Sequence, residues 1–328
     1  MTQSSTSGSF SGNLEGLSPS TTYYYRAYVI VGNEKYYYGS VLSFTTTSEG
    51  SVTTDIFDRY EMPAVTVSGS GTSGTYSDRD DQWTRYNTSS STQKVVTHSV
   101  TIGGSRVRNY TTFFDGNKHA PLWVAFPMHS MYNGSVTADG TWMDDPAITT
   151  TGWQQSGLDD ASTVGYSRGH FVAKSYRKVN DSARDQTFYY TNQAPQWQDG
   201  FNSGVWSTME QKILAASPST SSDTLYVVVG VLYEGTIETF PSGNLNVPIP
   251  SHFYCCVMKC SFSGGSMTDA RGEAFIYTNE SHTGEIYNSS DFVTTIDAIE
   301  RRTGFDFFAN VPSSIQAEAE NGIKALAL

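Results

Sequence analysis

Two stretches of this chain, Tyr166–His170 (YSRGH) and Thr187–Ile213 (TFYYTNQAPQWQDGFNSGVWSTMEQKI), concentrate residue types that can act on a phosphodiester. They place a histidine, two asparagines and a glutamate at the spacing of a one-metal phosphodiesterase site. Hydrolysis of that kind needs an activated water, neutralisation of the phosphate charge and help for the departing oxygen. A neutral imidazole is suited to take the proton from water near pH 7. A hard divalent cation prefers oxygen ligands and keeps several waters, so one amide oxygen from the protein is enough to anchor it. His170 and Asn202 are the candidates for these two tasks, with enough chain between them to leave a strand, loop round and enter a helix. Glu210 sits about two helical turns beyond Asn202 and so shares its helix face. Arg168, two residues before His170, points to the same side of a strand, and its guanidinium fork suits a phosphate.

The elements that must position these groups read as follows. Strand-like runs at Val95–Ile102, Tyr110–Asp115 and Leu122–Pro127 precede the first stretch, and runs at Leu225–Tyr233 and Ser251–Ser261 follow the second. The clearest helix follows Asn202, where Val205, Trp206, Met209, Ile213 and Leu214 form one apolar stripe. Asn202 or Ser203 is placed to cap its start and Pro218 to close it. Further helices are expected at Thr295–Thr303 and Ser314–Leu328. The fold class is α+β, with a mixed, mainly antiparallel sheet.

Composition narrows the function. No apolar run approaches the roughly 18 residues of a membrane span. The net charge of −12 argues against binding nucleic acid through the whole surface. A nuclease needs only a local positive groove, and Arg168, Lys174, Arg177, Lys178 and Arg184 cluster around the histidine, opposed by Asp181 and Asp185. In that reading Arg177 and Lys174 bind substrate; the plainer alternative is a solvated strand edge kept basic against aggregation. Cys255, Cys256 and Cys260 are too close in sequence for a disulfide framework and read as small core residues. The histidines outside the two stretches, such as His129 and His252, have no local chemistry beside them and read as structural. Taken alone, Asn192 is a turn residue and Trp206 helix core.

Domain organisation is uneven. Residues 1–47 contain L-x-P-x-T-x-Y-x-Y-R, which looks like the end of a fibronectin type III domain, with Tyr23, Tyr25, Ala27, Val29 and Val31 on one strand face and a break at Gly32-Asn33. So short a piece implies further sequence upstream, any export signal included. A polar linker at residues 48–58 leads to the main domain, residues 59–328, interrupted by a Gly/Ser-rich surface loop at Ser68–Ser77.

Arg-Gly-His, then T-N-x-x-P-Q, then F-N-x-G-x-W-x-x-x-E, in that order, resembles the DNA/RNA non-specific endonuclease family. RNY (Arg108–Tyr110), PLWVAF (Pro121–Phe126), TLYVVVG (Thr224–Gly230), VPIPSHFY (Val247–Tyr254) and ERRTGFDFF (Glu300–Phe308) are also similar to that family, from about Tyr60 to Glu320. The resemblance implies a ββα-metal (His-Me finger) fold, DNA and RNA as substrates, and Mg²⁺ as cofactor, with Mn²⁺ or Ca²⁺ as alternatives. It implies His170 as general base, Asn202 as direct metal ligand, Glu210 holding a metal-bound water, Asn192 orienting the phosphate or the water, and Arg168 on the scissile phosphate. It also implies a secreted or cell-surface bacterial protein, with a dimer as an option.

The chain departs from the family pattern at several places. Ser167 stands where many members have Asp, Gly140 where an arginine precedes the W-x-x-D-P element of Trp142–Pro146, and Leu214 where a second arginine is expected. Lys212, Arg106 and Arg108 are candidates to replace those charges. Two functional readings result: a metal-dependent endonuclease, and a non-catalytic cell-surface module using its Tyr and Trp for glycan or protein.

Overall fold

The computed structural model describes residues 22–31, 35–45, 60–65, 92–154, 165–239 and 247–328. The expected linker at residues 48–58, the Ser68–Ser77 loop, the Gly32-Asn33 break and the first residues of the fibronectin-like pattern lie outside them. The chain divides into two compact units, Met1–Ile56 and Phe57–Leu328.

In the first unit, β1 (Thr22–Tyr25) pairs antiparallel with β4 (Leu42–Thr45), and β2 (Tyr28–Val31) with β3 (Lys35–Tyr38). The alternating run Tyr23–Val31 is therefore two strands rather than the one expected. Arg26 and Ala27 interrupt it, and the Ala27 carbonyl accepts from Gly39 N at 2.8 Å.

The second unit is built on a seven-stranded sheet, antiparallel throughout. After β5 (Ala64–Val65), its strands are β6 (Gln93–Ile102), β7 (Ser105–Asp115), β8 (Ala120–Met128), β11 (Asp223–Leu232), β12 (His252–Ser263), β13 (Ser266–Thr278) and β14 (Val293–Thr294), in the order β14-β13-β12-β11-β8-β7-β6. Both faces of this sheet are covered, which is why β11 and β12 read as unbroken apolar runs. Leu225, Val227, Val229, Phe253, Cys255 and Val257 enter one core; Tyr226, Val228, Tyr254, Cys256, Met258 and Cys260 enter the other. The three cysteines are free and buried, with Cys255 and Cys256 on opposite faces.

Helices α3 (Ile296–Thr303) and α4 (Ser313–Glu320) cover the second face. Thr295 caps α3 by accepting from Ala298 N, and Gly304 at φ +75° ends it. The helix expected over Ser314–Leu328 stops at Glu320. Gly322 takes φ +84°, and the tail then pairs with β13: Gly272 N donates to Lys324 O at 3.0 Å, and Leu326 N to Gly272 O at 3.0 Å. Strand β13 was not expected; its Asp, Arg and Glu mask the alternation of Ala270 and Ala274 with Phe275 and Tyr277.

The first face carries the smaller elements that hold the polar residues. Strands β9 (Tyr166–His170) and β10 (Gln193–Trp197) form a separate antiparallel pair, followed by an irregular segment, Gln198–Trp206, and helix α2 (Ser207–Ala215). A short helix, α1 (Asp181–Gln186), capped by Asn180, lies between β9 and β10. The apolar stripe expected on α2 packs into the core through Val205, Trp206, Met209 and Ile213, with Leu214 partly buried against it.

Close strand packing depends on Gly230 in β11. A Cβ there would lie 2.1 Å from the Tyr254 ring and 2.7 Å from Leu122 O. Gly230→Ala is expected to cost about 1–3 kcal/mol by overpacking. Denaturant unfolding of the variant checks this; an unchanged stability would contradict it.

Candidate active site

The pairing of β9 with β10 aligns His170 with Gln193, Gly169 with Ala194, Arg168 with Pro195 and Ser167 with Gln196. His170 and Arg168, two apart on β9, both face a cleft of about 770 Å³. Lys174, just beyond the strand, and Asn202 and Glu210, from the far side, also line it.

His170 is half-buried, its ring packed against Trp142 at 4.7 Å between centroids and edge-on to Phe188 at 5.1 Å. Its Nε2 has no hydrogen-bond partner among the described residues. Burial lowers its pKa to about 4, helped by the charges of Lys174 and Arg168 and opposed by Asp139. The imidazole is therefore neutral at pH 7, with Nε2 buried and unpaired among the described residues. The Arg168 guanidinium lies 5.0 Å from the Trp142 ring centre, a cation–π contact that steadies its fork. Lys174 pairs with Asp139 at the exposed rim of the cleft.

The Trp142 segment is itself held firmly. Met143 N donates to Phe188 O and Tyr190 N to Met143 O, while the buried Asp145 carboxylate meets His98 Nε2 at 2.9 Å and accepts from Thr191 Oγ1 at 2.6 Å. Burial pushes the Asp145 pKa up, but the His98 hydrogen bond and charge, with Thr191, bring it below the ordinary value. Gly140, which stands where an arginine was expected, has no room for a side chain: a Cβ there would lie 2.4 Å from the Phe188 ring.

Asn202 lies in the irregular segment rather than at a helix cap. Asp199, Gly200 and Gly204 depart from helical φ/ψ there, and α2 begins only at Ser207. Gly200 is at φ +75°, and a Cβ would lie 2.6 Å from Thr283 N. Ser203 Oγ donates to Gln198 O, so neither proposed capping side chain caps the helix. Asn202 Nδ2 instead donates to Gln196 Oε1 at 2.5 Å. Glu210 accepts from Trp206 Nε1 at 3.0 Å. Burial raises its pKa to about 8, with the Trp206 bond opposing. An amide oxygen and a half-buried carboxyl sharing one cleft suit a hard divalent cation.

Other expected site residues sit elsewhere. Asn192 is buried and makes no approach to the cleft: its Oδ1 accepts from Val172 N at 2.9 Å, and its Nδ2 donates to Val172 O and Thr187 O. It braces the chain just after His170. Arg177, expected to bind substrate, is fully buried. Its Nε donates to Asn109 Oδ1 at 2.7 Å, its Nη2 to Asn109 O and Pro127 O, and its Nη1 to Tyr176 O, over the Tyr132 ring at 4.1 Å. Arg108 is also buried, against Glu61, and Arg184 is bound by Asp181 and Asp185. Neither Arg184 nor Lys178 lines the cleft, whose basic residues are Arg168 and Lys174. Trp142, Phe188 and Gln196 were missed as site-forming residues; only the W-x-x-D-P and P-Q patterns pointed to their neighbourhoods.

The sequence matches the DNA/RNA non-specific endonuclease family over residues 87–314. The chain belongs to that family. Among its relatives are a mitochondrial nuclease of Saccharomyces cerevisiae, 30% identical over 168 residues (48% of this chain and 50% of the relative), and a nuclease of Serratia marcescens, 27% identical over 240 residues (71% and 81%). Endonuclease G of Caenorhabditis elegans is 31% identical over 176 residues, covering 50% of this chain and 54% of the relative. The chain therefore spans about half the length of the yeast and nematode relatives. A crystal structure of the EndoG/EndoGI complex shares the fold with a TM-score of 0.51 at 24% identity, over 66% of this chain and 88% of that one.

Burial makes Arg177 a stability residue. Arg177→Met is expected to destabilise the protein by about 3–5 kcal/mol, because it leaves buried carbonyl and amide oxygens without donors. Its affinity for a nuclease-resistant oligonucleotide should stay within about threefold of the wild type, since the side chain never reaches the cleft. Thermal unfolding and a binding titration check the two halves. A stable variant with lost affinity would contradict the assignment.

Proposed function

We propose that this chain is a metal-dependent endonuclease that hydrolyses phosphodiester bonds of DNA and RNA without strong sequence preference. The observation that carries this reading is a neutral imidazole, its Nε2 without a hydrogen-bond partner among the described residues, in one cleft with a guanidinium and two oxygen-bearing side chains. Membership of the nuclease family supports it.

The donor set fits a divalent cation. Asn202 has its amide nitrogen committed to Gln196, leaving its oxygen as the atom for a hard ion. Glu210 is a half-buried carboxyl whose ionisation is disfavoured until a positive charge comes near. Asn202 would hold Mg²⁺, with Mn²⁺ or Ca²⁺ as alternatives, and Glu210 would bind through an intervening water. Once bound, the ion would supply Lewis-acid stabilisation of charge on the phosphate and the departing oxygen.

The protein's own groups supply the remaining steps. Arg168 binds the scissile phosphate with a fork fixed over Trp142, and Lys174 adds a second positive charge at the rim. His170 takes the proton from water as its oxygen attacks phosphorus in line. The P–O3′ bond breaks, leaving a 5′-phosphate and a 3′-oxyanion that takes a proton from solvent to become the 3′-hydroxyl. Asn192 acts indirectly by fixing the chain that follows His170.

Because burial holds the His170 pKa down at about 4, the ring is in the base form above that value and loses that form only as pH falls toward it. At saturating Mg²⁺, where the cation keeps Glu210 ionised, cleavage of plasmid and RNA should therefore show no loss assignable to a histidine of ordinary pKa near 6.5 as pH is lowered from 8 to 5.5. His170→Ala should reduce the rate by about 10²–10⁴-fold, and EDTA should abolish cutting. A rate that follows an apparent pKa near 6.5 would contradict the environment assigned to His170. Absence of cutting on either substrate with any of the three metals would favour the non-catalytic reading.

A further inference from the structure

Beneath the cleft, the buried Gln196 meets three independent constraints on its side chain and backbone. Its Oε1 accepts from Asn202 Nδ2 at 2.5 Å. Its side chain crosses Gly169 so closely that a Cβ on Gly169 would lie 2.5 Å from Oε1 and 2.6 Å from the Gln196 Cβ. Its backbone is pinned on both sides: Asn279 Nδ2 donates to Pro195 O at 3.0 Å, and Trp197 N donates to Asn279 Oδ1 at 2.8 Å. Gln196 is fully buried, and its Nε2 has no hydrogen-bond partner among the described residues.

We propose that Gln196 is a positioning residue that sets the rotation of the Asn202 amide, so that Asn202 turns its oxygen, not its nitrogen, toward the cleft. The inference rests on the reading of Asn202 as a metal ligand and supplies what that reading lacks. An asparagine amide is nearly symmetric in shape, and turned the other way it would present an N–H₂ group that repels a cation. Asn202 lies in a segment without regular helical geometry, so its backbone does not decide between the two orientations. The Gln196 oxygen lying behind the nitrogen and accepting from it selects one of them. The glycine of Arg-Gly-His acquires a physical reason by the same argument: only a residue without a side chain lets Gln196 cross the strand that carries His170.

The lone acceptor contact predicts an unusual pattern of substitution. Since Nε2 bonds to nothing described, Gln196→Glu removes no hydrogen bond and keeps the acceptor. Gln196→Met keeps the length and apolar packing but replaces the amide oxygen with a thioether, a weak acceptor. Groups that orient a metal ligand typically change metal affinity by about 10–100-fold when lost.

The test is Mn²⁺ binding to the whole protein in the absence of nucleic acid, by titration calorimetry or the electron paramagnetic resonance of free Mn²⁺. The relevant site is the component removed by Asn202→Ala. The expected result is that Gln196→Met weakens that component about 10–100-fold, while Gln196→Glu, which keeps an acceptor and adds a charge that favours a cation, does not weaken it. If Gln196→Met does not fold, Gln196→Asn, too short to reach Asn202, replaces it with the same expected loss. Unchanged Mn²⁺ affinity in the folded Met or Asn variant, or equal losses in Met and Glu variants, overturns the positioning role while leaving Asn202 as ligand. Unchanged binding in Asn202→Ala overturns the ligand reading itself, and this inference with it.

Discussion

The antiparallel register between Tyr166–His170 and Gln193–Trp197 is the constraint on which the rest of the site depends. It sets His170 beside Gln193 and Gly169 beside Ala194, which brings Gln196 across the glycine and within reach of Asn202. A slip of one residue would turn Arg168 and His170 to the opposite face. The register is reinforced from outside the pair. Asn192 ties the chain after β9 to its own turn, and Asn279, at the end of β13, holds the backbone of β10. The large sheet supplies the floor, and the two small strands carry Arg168, His170 and Gln196.

Electrostatics follow from burial more than from charge number. An acidic chain keeps few cationic groups at its cleft, because Arg177 and Arg108 are spent inside the fold on Asn109, Pro127 and Glu61. Each buried guanidinium crosslinks strands that would otherwise expose unsatisfied carbonyls. At the cleft, aromatic rings do part of the work that charge would do elsewhere. Trp142 and Phe188 desolvate His170 and keep it neutral, and Phe188 occupies the volume beside Gly140 that a longer side chain would need.

Much of this architecture was legible in the sequence where the local pattern carried the cause. β11 and β12 read as strands because both their faces are buried, and α3 because Thr295 and Gly304 punctuate it. The neighbourhood of His170, Asn202 and Glu210 was legible because few other reasons bring those residue types together. What was not legible depended on partners distant in the chain. Nothing near Arg177 announces that Asn109 will claim its guanidinium, and nothing near Asn192 announces the two carbonyls it bonds. The start of α2 was misplaced because the apolar stripe continues through Val205 and Trp206 while Gly204 leaves helical geometry. Strand β13 was hidden by its polar residues.

The account stands on a cation held at the cleft by Asn202. A second group of oxygens, Asp297, Glu300 and Glu320, lies within 4.8 Å of one another under the opposite face of the sheet, and offers an acidic alternative. Anomalous diffraction from crystals soaked in Mn²⁺ distinguishes the two directly. The account predicts a peak in the cleft, bonded to the Asn202 side-chain oxygen and on the Glu210 side of His170. A fully occupied peak at the Asp297–Glu300–Glu320 group with none in the cleft would contradict it.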